Sequence, residues 1–236
     1  MGFKIKYGRH LPYQTAPGGK GSKNRSAKIC EDVYIADITV KSSFRSSAAG
    51  KKQISRNDAY IDYSKDPSSK ENYIVLILES PHKDEYDPSL AKPLPAQGRT
   101  GDNICIYFVD MLNNANGHNK RNLNVVNGIY KLALVESVNY QCSEGNDIGN
   151  GTIRDDNWIK YYSRDASINL VKKLDYFISN SNNPIIVINA CTNSTKKHLQ
   201  KYVERTILGL ANSHIDYFCT QHPCSWSRRK VFPYLK

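Results

Sequence analysis

The chain has 236 residues and a formal charge of +11. That length suits one large domain, or one domain with an extension. No apolar run reaches transmembrane length and no apolar signal core opens the chain, so membrane-spanning and exported classes are set aside and a soluble, cytoplasmic protein is expected. Six cysteines (Cys30, Cys105, Cys142, Cys191, Cys219, Cys224) form no C-x-x-C pair and sit partly in apolar segments. They read as buried reduced thiols, not as a disulfide framework or a zinc site.

The charge is uneven. Residues 1–70 hold fourteen Lys/Arg against six Asp/Glu, a net +8, which leaves +3 for the other 166 residues. A basic arm on a more neutral core suits a polyanion, nucleic acid first, with a solubilising tail as the plain alternative. Sixteen tyrosines supply rings that can stack on bases.

In chain order, residues 1–28 have turn formers and lysines but no periodic apolar face, which predicts an irregular loop. Within it Lys20, Lys23, Arg25 and Lys28 are candidate phosphate contacts, or simply a solvated basic loop. Val33–Val40 (V-Y-I-A-D-I-T-V) reads as a strand at an edge or in a hairpin. Lys41–Arg56 is Ser-rich and basic, and residues 57–71 are a polar connection, so residues 1–71 are taken as an extension flanking a core of residues 72–236.

Tyr73–Leu78 is an uncharged apolar run, the pattern of a strand covered on both faces. Pro81 stops it, because proline has no N–H for a ladder. Residues 79–102 read as a long loop, and Asn103–Leu112 as a helix with Asp102 as its N-cap. Tyr130–Val138 is a second strand, followed by a polar loop through Asn150-Gly151. Asp155–Ser179 is a helix with Trp158, Tyr161/Tyr162, Ile168, Val171 and Leu174 on its apolar side. Pro184–Asn189 is a third strand, and Asn193–Leu210 a helix capped by Thr192 or Asn193. Ile215–Thr220 is a fourth strand. The alternation predicts a parallel α/β sandwich.

Three of these strands end in polar clusters: Glu79-Ser80-Pro81-His82, Glu136-Ser137-Val138-Asn139 and Gln221-His222-Pro223-Cys224-Ser225-Trp226. A parallel sheet brings such ends to one edge, where open α/β sheets bind ligands. A carboxylate facing a histidine there has the chemistry to activate water and stabilise a departing anion.

These features resemble the uracil-DNA glycosylase-like superfamily across residues 72–230. Leu78-Glu79-Ser80-Pro81-His82 is similar to its first motif, Gly98-Arg99-Thr100-Gly101-Asp102 to a Thr-Gly-Asp feature of some branches, and His222-Pro223-Cys224-Ser225-Trp226-Ser227-Arg228-Arg229 to its final motif and wedge loop. The resemblance implies a three-layer α/β/α sandwich and a monofunctional DNA glycosylase. Such an enzyme flips a nucleotide out of the duplex and hydrolyses its base–sugar bond through an oxocarbenium-like transition state. By position, Glu79 or Asp102 would stabilise that cation or orient water, and His222 would donate to the leaving base. Ser80, Pro81, His82, Asn103 and Glu136 would line the base site, with Asn139 the reader if the alignment slips. Arg99, Ser225, Trp226, Arg228 and Arg229 would contact DNA, with Trp226 as a wedge or, alternatively, packed against the C-terminal tail.

Uracil-specific members place asparagine where Glu136 stands. An ionised carboxylate only accepts hydrogen bonds, so it suits the exocyclic amine of cytosine and repels a uracil carbonyl. His82 stands where strict uracil enzymes block 5-substituents. The expected substrate is therefore a cytosine-type base, extending to the glucosylated hydroxymethylcytosine of phage DNA that anti-phage members remove. The cysteine pattern of the cluster-bearing branches is lacking, so no cofactor and no metal are expected. The expected partner is double-stranded DNA, bound by a monomer. The competing readings are a silent nucleic-acid-binding module and a metal-dependent nuclease using Glu79, Asp84, Glu85 and Asp102.

Overall fold

The structure is a computed structural model that describes residues 29–40, 54–81, 85, 92–118, 126–140, 142, 151–193, 198–210 and 214–227. Six strands form one sheet: β1 (Val33–Val40), β2 (Ala59–Tyr60), β3 (Asn72–Leu78), β4 (Gly128–Glu136), β5 (Ile185–Asn189) and β6 (Ile215–Cys219). Their order is β2-β1-β4-β3-β5-β6. The four strands from β4 to β6 run parallel, and β1 pairs antiparallel with both β4 and β2. β1 is therefore an inner strand, and the sheet reaches into the residues ahead of position 72.

Helices α1 (Gly98–His118), α2 (Gly151–Tyr161), α3 (Ser167–Ser179) and α4 (Leu199–Gly209) connect the parallel strands. Strand alternation divides the apolar side chains between two faces. Ile74, Leu76, Leu132, Leu134, Ile186 and Ile188 pack with Ile104, Phe108 and Met111 of α1. Val75, Ile77, Ala133, Val135 and Val187 pack with Trp158 of α2, Leu174 and Phe177 of α3 and Val203 of α4. The result is a three-layer α/β/α sandwich. The split follows from the path: β3 to β4 runs one way along the sheet and β4 to β5 runs back past β3, so a constant right-handed crossover puts the two sets of helices on opposite faces. In β1 a register shift between Tyr34 and Ala36 moves the inward set from Val33 and Ile35 to Ile38 and Val40.

Three helices depart from expectation. α1 starts at Gly98, not Asn103, and runs on to His118, so Asp102 lies inside the helix and is not its N-cap. A Cβ on Gly101 would stand 2.0 Å from the Ala96 carbonyl oxygen, so only glycine lets α1 pass the bend at Ala96. Ala96 itself has φ 54°. Its peptide is gripped from both sides: its N–H donates to Glu85 Oε1 (3.0 Å) and its carbonyl accepts from Arg56 Nη1 (2.7 Å).

The expected helix Asp155–Ser179 is a rod with a π turn at Tyr162–Ala166 between α2 and α3. From Tyr162 to Leu170 is eight residues, which at 100° per residue would leave Leu170 about 80° off the buried stripe. A π turn absorbs one residue and cuts the error to about 20°, returning Leu170, Leu174 and Phe177 to the sheet. Ile168, expected on the apolar side, is exposed. α4 begins at Leu199 with His198 as its N-cap residue, in place of Thr192 or Asn193; residues 194–197 lie outside the described set.

A buried ion pair binds β1 and the β4 end to α3. Lys173 Nζ lies 2.8 Å from Asp32 Oδ2, and donates to the Glu136 carbonyl (2.9 Å) and Asn139 Oδ1 (2.7 Å), which uses all three ammonium hydrogens. Asp32 Oδ1 accepts from the Glu136 N–H at 2.9 Å, and Tyr63 donates to Oδ2 at 2.8 Å. Replacing Lys173 by Met strands a buried carboxylate. The expected outcome is a loss of about 3–5 kcal/mol in urea unfolding, against less than about 1 kcal/mol for Lys65→Met at an exposed pair.

Candidate functional site

Connections leave β3 toward one side of the sheet and β5 toward the other, which makes the β3/β5 boundary a topological switch point. Ligands in open α/β sheets enter the crevice beyond the carboxyl ends at such a point. Glu79 stands there. Its carboxylate is nearly buried, with Oε2 accepting from the Thr192 N–H after β5 (3.2 Å) and Oε1 lying 3.2 Å from Arg154 Nε on α2. Asp155 steadies that guanidinium, accepting from Arg154 Nε (2.9 Å) and Nη2 (2.7 Å). The Glu79 main-chain carbonyl accepts from Ser137 Oγ (2.5 Å) and Trp158 Nε1 (2.7 Å). One residue thus ties the ends of β3, β4 and β5 to α2.

His222 follows β6 and caps a 3₁₀ turn, Pro223–Ser225. Its Nδ1 accepts from the Cys224 N–H at 3.3 Å. That bond fixes the neutral tautomer, because an accepting Nδ1 carries no hydrogen and the proton must sit on Nε2. Burial holds the imidazole below its ordinary titration range; the charge of Glu79 opposes this and that of Arg154 adds to it. His222 is half-buried, and Nε2 has no hydrogen-bond partner among the described residues. The turn is braced by Ser225 Oγ donating to the His222 carbonyl (2.7 Å) and by Asn103 Nδ2 donating to the Pro223 carbonyl (2.8 Å). Gln200, buried in α4, donates from one amide nitrogen to the carbonyls of Asn189, Cys191 and Thr220, which sets the β5 and β6 ends at fixed spacing.

The structure brings Glu79, His222, Glu136 and Asn103 to this edge and revises several expected roles. Trp226 is 2 % exposed, packs in the core with α1 and donates to the Gln221 carbonyl (2.7 Å), so it is a core anchor and not a wedge free to enter DNA. Asn139 spends its amide inside the protein: Nδ2 donates to the Cys30 carbonyl (2.6 Å) and Oδ1 accepts from Lys173, which removes it as a base reader. Asn103 and Ser225 act on the His222 turn from within. Asp102 is exposed on α1 and away from the Glu79 carboxylate's partners. Arg99, on the first turn of α1, is exposed and donates to Ser227 Oγ (3.3 Å). Ser80 is half-buried within reach of the Cys142 thiol, and Pro81 is buried. His82, Lys20, Lys23, Arg25, Lys28, Arg228 and Arg229 lie outside the described residues. All six cysteines are reduced, and Cys224 is the exposed one.

Glu136 ends β4 at 1 % exposure, and its Oε2 has no hydrogen-bond partner among the described residues. Burial, then the charges of Glu85 and Asp32, push its carboxyl well above the ordinary range. Burial thus favours the protonated form of this carboxyl, an O–H donor beside a carbonyl acceptor, over the ionised form expected from the sequence. Among the described residues the nuclease set does not assemble. Glu85 is held by Ala96 and Asp102 faces solvent, Asp84 lies outside the described residues, and among the described residues no three His, Cys, Asp or Glu side chains are grouped to hold a metal ion.

Arg154, Trp158 and Gln200 carry no motif and went unmarked in the sequence as site-building residues. Arg154-Asp155 beside the glycine turn at Gly151 is the one local signal, a charged pair opening a helix whose inward face is aromatic.

Two outcomes follow from these placements. Trp226→Ala removes a core indole and its hydrogen bond, so it should cost about 3–5 kcal/mol of stability, read by chemical unfolding without DNA; a surface wedge would leave stability within about 0.5 kcal/mol. Glu136 binds its proton more tightly folded than unfolded, so its contribution is fully present below the unfolded carboxyl range and is lost as pH rises toward the folded value. Glu136→Gln should flatten the fall of stability with rising pH by up to about 1.4 kcal/mol per pH unit, measured by urea unfolding between pH 5 and 8. Comparison with known protein families, characterised proteins and solved structures yields no match to this chain.

Proposed function

We propose that the protein is a monofunctional DNA glycosylase acting on a cytosine-type base, extending to 5-substituted forms such as glucosylated hydroxymethylcytosine. The observation that carries the reading is the His222 turn: Nδ1 is occupied by the Cys224 N–H, so a neutral imidazole offers Nε2–H at the strand edge where Glu79 is held. Oxocarbenium-like cleavage needs that pair of functions, a fixed negative charge near the sugar and a donor for the oxygen of the departing base.

In this reading a flipped nucleotide enters the crevice at the β3/β5 switch point. Glu79 stabilises the cationic sugar or orients the attacking water, and is preferred over Asp102 because Asp102 is exposed on α1. His222 Nε2–H donates to the base carbonyl as negative charge grows on it. Protonating His222 would set an N–H against the Cys224 N–H and break the turn, which favours neutral donation. A protonated Glu136 carboxyl would match the cytosine edge in both directions, its O–H toward the ring nitrogen acceptor and its carbonyl toward the exocyclic amine, once base entry uncovers a side chain that is 1 % exposed in the unbound protein. All three hydrogens of Lys173 are engaged, which leaves it no part in a strand-nicking step. The basic N-terminal segment and Arg99 supply phosphate contacts without sequence preference.

The test is base release from duplexes carrying uracil, cytosine, hydroxymethylcytosine or glucosylated hydroxymethylcytosine, with chelator present and freed bases read by mass spectrometry. The expected result is release of a cytosine derivative, reduced about 10²–10³-fold in Glu79→Gln and His222→Ala and little changed in Asp102→Asn. Because burial lowers the His222 midpoint below about 6.5, the rate should hold through that pH and fall only on further acidification. Release of uracil alone overturns the role of Glu136. Absence of release from every duplex, with salt-sensitive DNA binding intact, points to the binding-module reading.

A further inference from the structure

Two buried amides meet behind the carboxyl edge. Asn189 ends β5 and Gln200 lies on the first turn of α4, and both are fully buried. They are bonded to each other in both directions: Asn189 Nδ2 donates to the Gln200 carbonyl (2.9 Å), and Gln200 Nε2 donates to the Asn189 carbonyl (3.0 Å). The other buried residues of α4 are Leu199, Val203 and Ile207, so the helix packs on the sheet through an apolar stripe that Gln200 interrupts. A side-chain amide in such a stripe is costly unless its polar atoms are answered.

What answers the pair is the backbone that leaves β5. The Cys191 N–H donates to Asn189 Oδ1 (3.2 Å). The Cys191 carbonyl accepts from Gln200 Nε2 (3.4 Å), and the Thr192 carbonyl accepts from the Gln200 N–H (3.4 Å). Of the four backbone polar groups on Cys191 and Thr192, these are three. The fourth is the Thr192 N–H, which donates to Glu79 Oε2 (3.2 Å). The Cys191 carbonyl and the Thr192 N–H belong to one planar peptide, so holding the first aims the second. Gln200 Nε2 also reaches the Thr220 carbonyl (2.9 Å), two residues ahead of His222.

We propose that Gln200, paired with Asn189, is a positioning residue for the Glu79 carboxylate: it locks the Cys191–Thr192 peptide so that the Thr192 N–H points at Oε2, and it ties the chain leading to His222 to the same amide. The two oxygens of Glu79 are held from different elements. Arg154 meets Oε1 from α2 with a partly exposed side chain, and Thr192 meets Oε2 from backbone gripped at three points. The guanidinium supplies charge, and the locked peptide supplies direction. The hold on Thr192 stands without any assumption about the reaction; the effect on turnover rests on the glycosylase reading.

The experiment removes the donors and keeps the bulk. Gln200→Met is unbranched like glutamine and offers no N–H. In this variant base release should fall about tenfold through kcat with KM little changed. In NMR spectra of the full-length protein the Thr192 amide proton should move toward its position in Glu79→Ala, while the Ala190 amide, bonded to the Ile77 carbonyl, should stay where it is. A double-mutant cycle separates positioning from a general loss of stability: in the Glu79→Gln background, Gln200→Met should lower kcat by less than about twofold, because the carboxylate it positions is already gone. Circular dichroism reports whether Gln200→Met is folded; if it is not, Gln200→Glu, which keeps the shape and, protonated, a single donor, decides by the same cycle. An unmoved Thr192 amide in the folded variant, or an equal tenfold fall in both backgrounds, overturns the proposal. If the wild-type protein releases no base while the Thr192 amide still moves in Gln200→Met, the glycosylase reading falls and the positioning role of Gln200 stands.

Discussion

The carboxyl edge of the sheet is organised by the peptide and side chain of Glu79. Its carbonyl takes hydrogen bonds from Ser137 and Trp158, and its carboxylate takes one from the Thr192 N–H and is ion-paired with the Arg154 guanidinium. A buried carboxylate and a buried carbonyl at a strand end are both costly unless their partners are supplied. Meeting those requirements draws the ends of β4 and β5 and the flank of α2 against β3. The strand ends at the switch point are thus pinned together, while the connections that leave them part toward opposite faces.

Each acid at this edge is answered differently, and the differences set what each can do. Asp32 is paired with Lys173 and closes the β1–β4 corner, a structural arrangement with no hydrogen left over. Glu79 is paired with a half-exposed arginine, so its charge remains near the crevice. Glu136 has no cation to itself, and burial favours its protonated form. The same logic places His222: an imidazole packed against protein mass, with one nitrogen spent on the backbone, stays neutral and offers the other nitrogen outward. A sheet edge rich in acids thus combines an ion-paired carboxylate, a buried carboxyl biased toward its protonated form, and an imidazole with one nitrogen spent on the backbone.

Much of the fold was legible because strands with both faces covered leave uninterrupted apolar runs. Val33–Val40 has the same ends in sequence and structure, and Tyr73–Leu78 differs by one residue. The start of α1 was read five residues late because Gly98 and Gly101 argue against helix, and only the nearby Ala96 carbonyl explains why a glycine is needed inside one. The π turn was invisible because its cause is a phase error between two buried stripes that are each regular. At the site, residues at strand ends were legible and their orientations were not. Asn139 and Trp226 have the chemistry to meet a ligand, but a lysine on α3 and a core facing α1 claim them first. Arg154 was missed for the converse reason: its importance lies in a partner 75 positions away, which no local pattern reports.

The central claim is that Glu79 and His222 flank one nucleotide at the β3/β5 edge. The most direct measurement is a crystal structure with duplex DNA carrying a 2′-fluorinated cytosine derivative, whose base–sugar bond resists cleavage. The account predicts a flipped nucleotide with the base carbonyl within hydrogen-bond distance of His222 Nε2, the anomeric carbon facing the Glu79 carboxylate, and the amidine edge against Glu136. A nucleotide left stacked in the duplex, or DNA seated away from this edge, would contradict it.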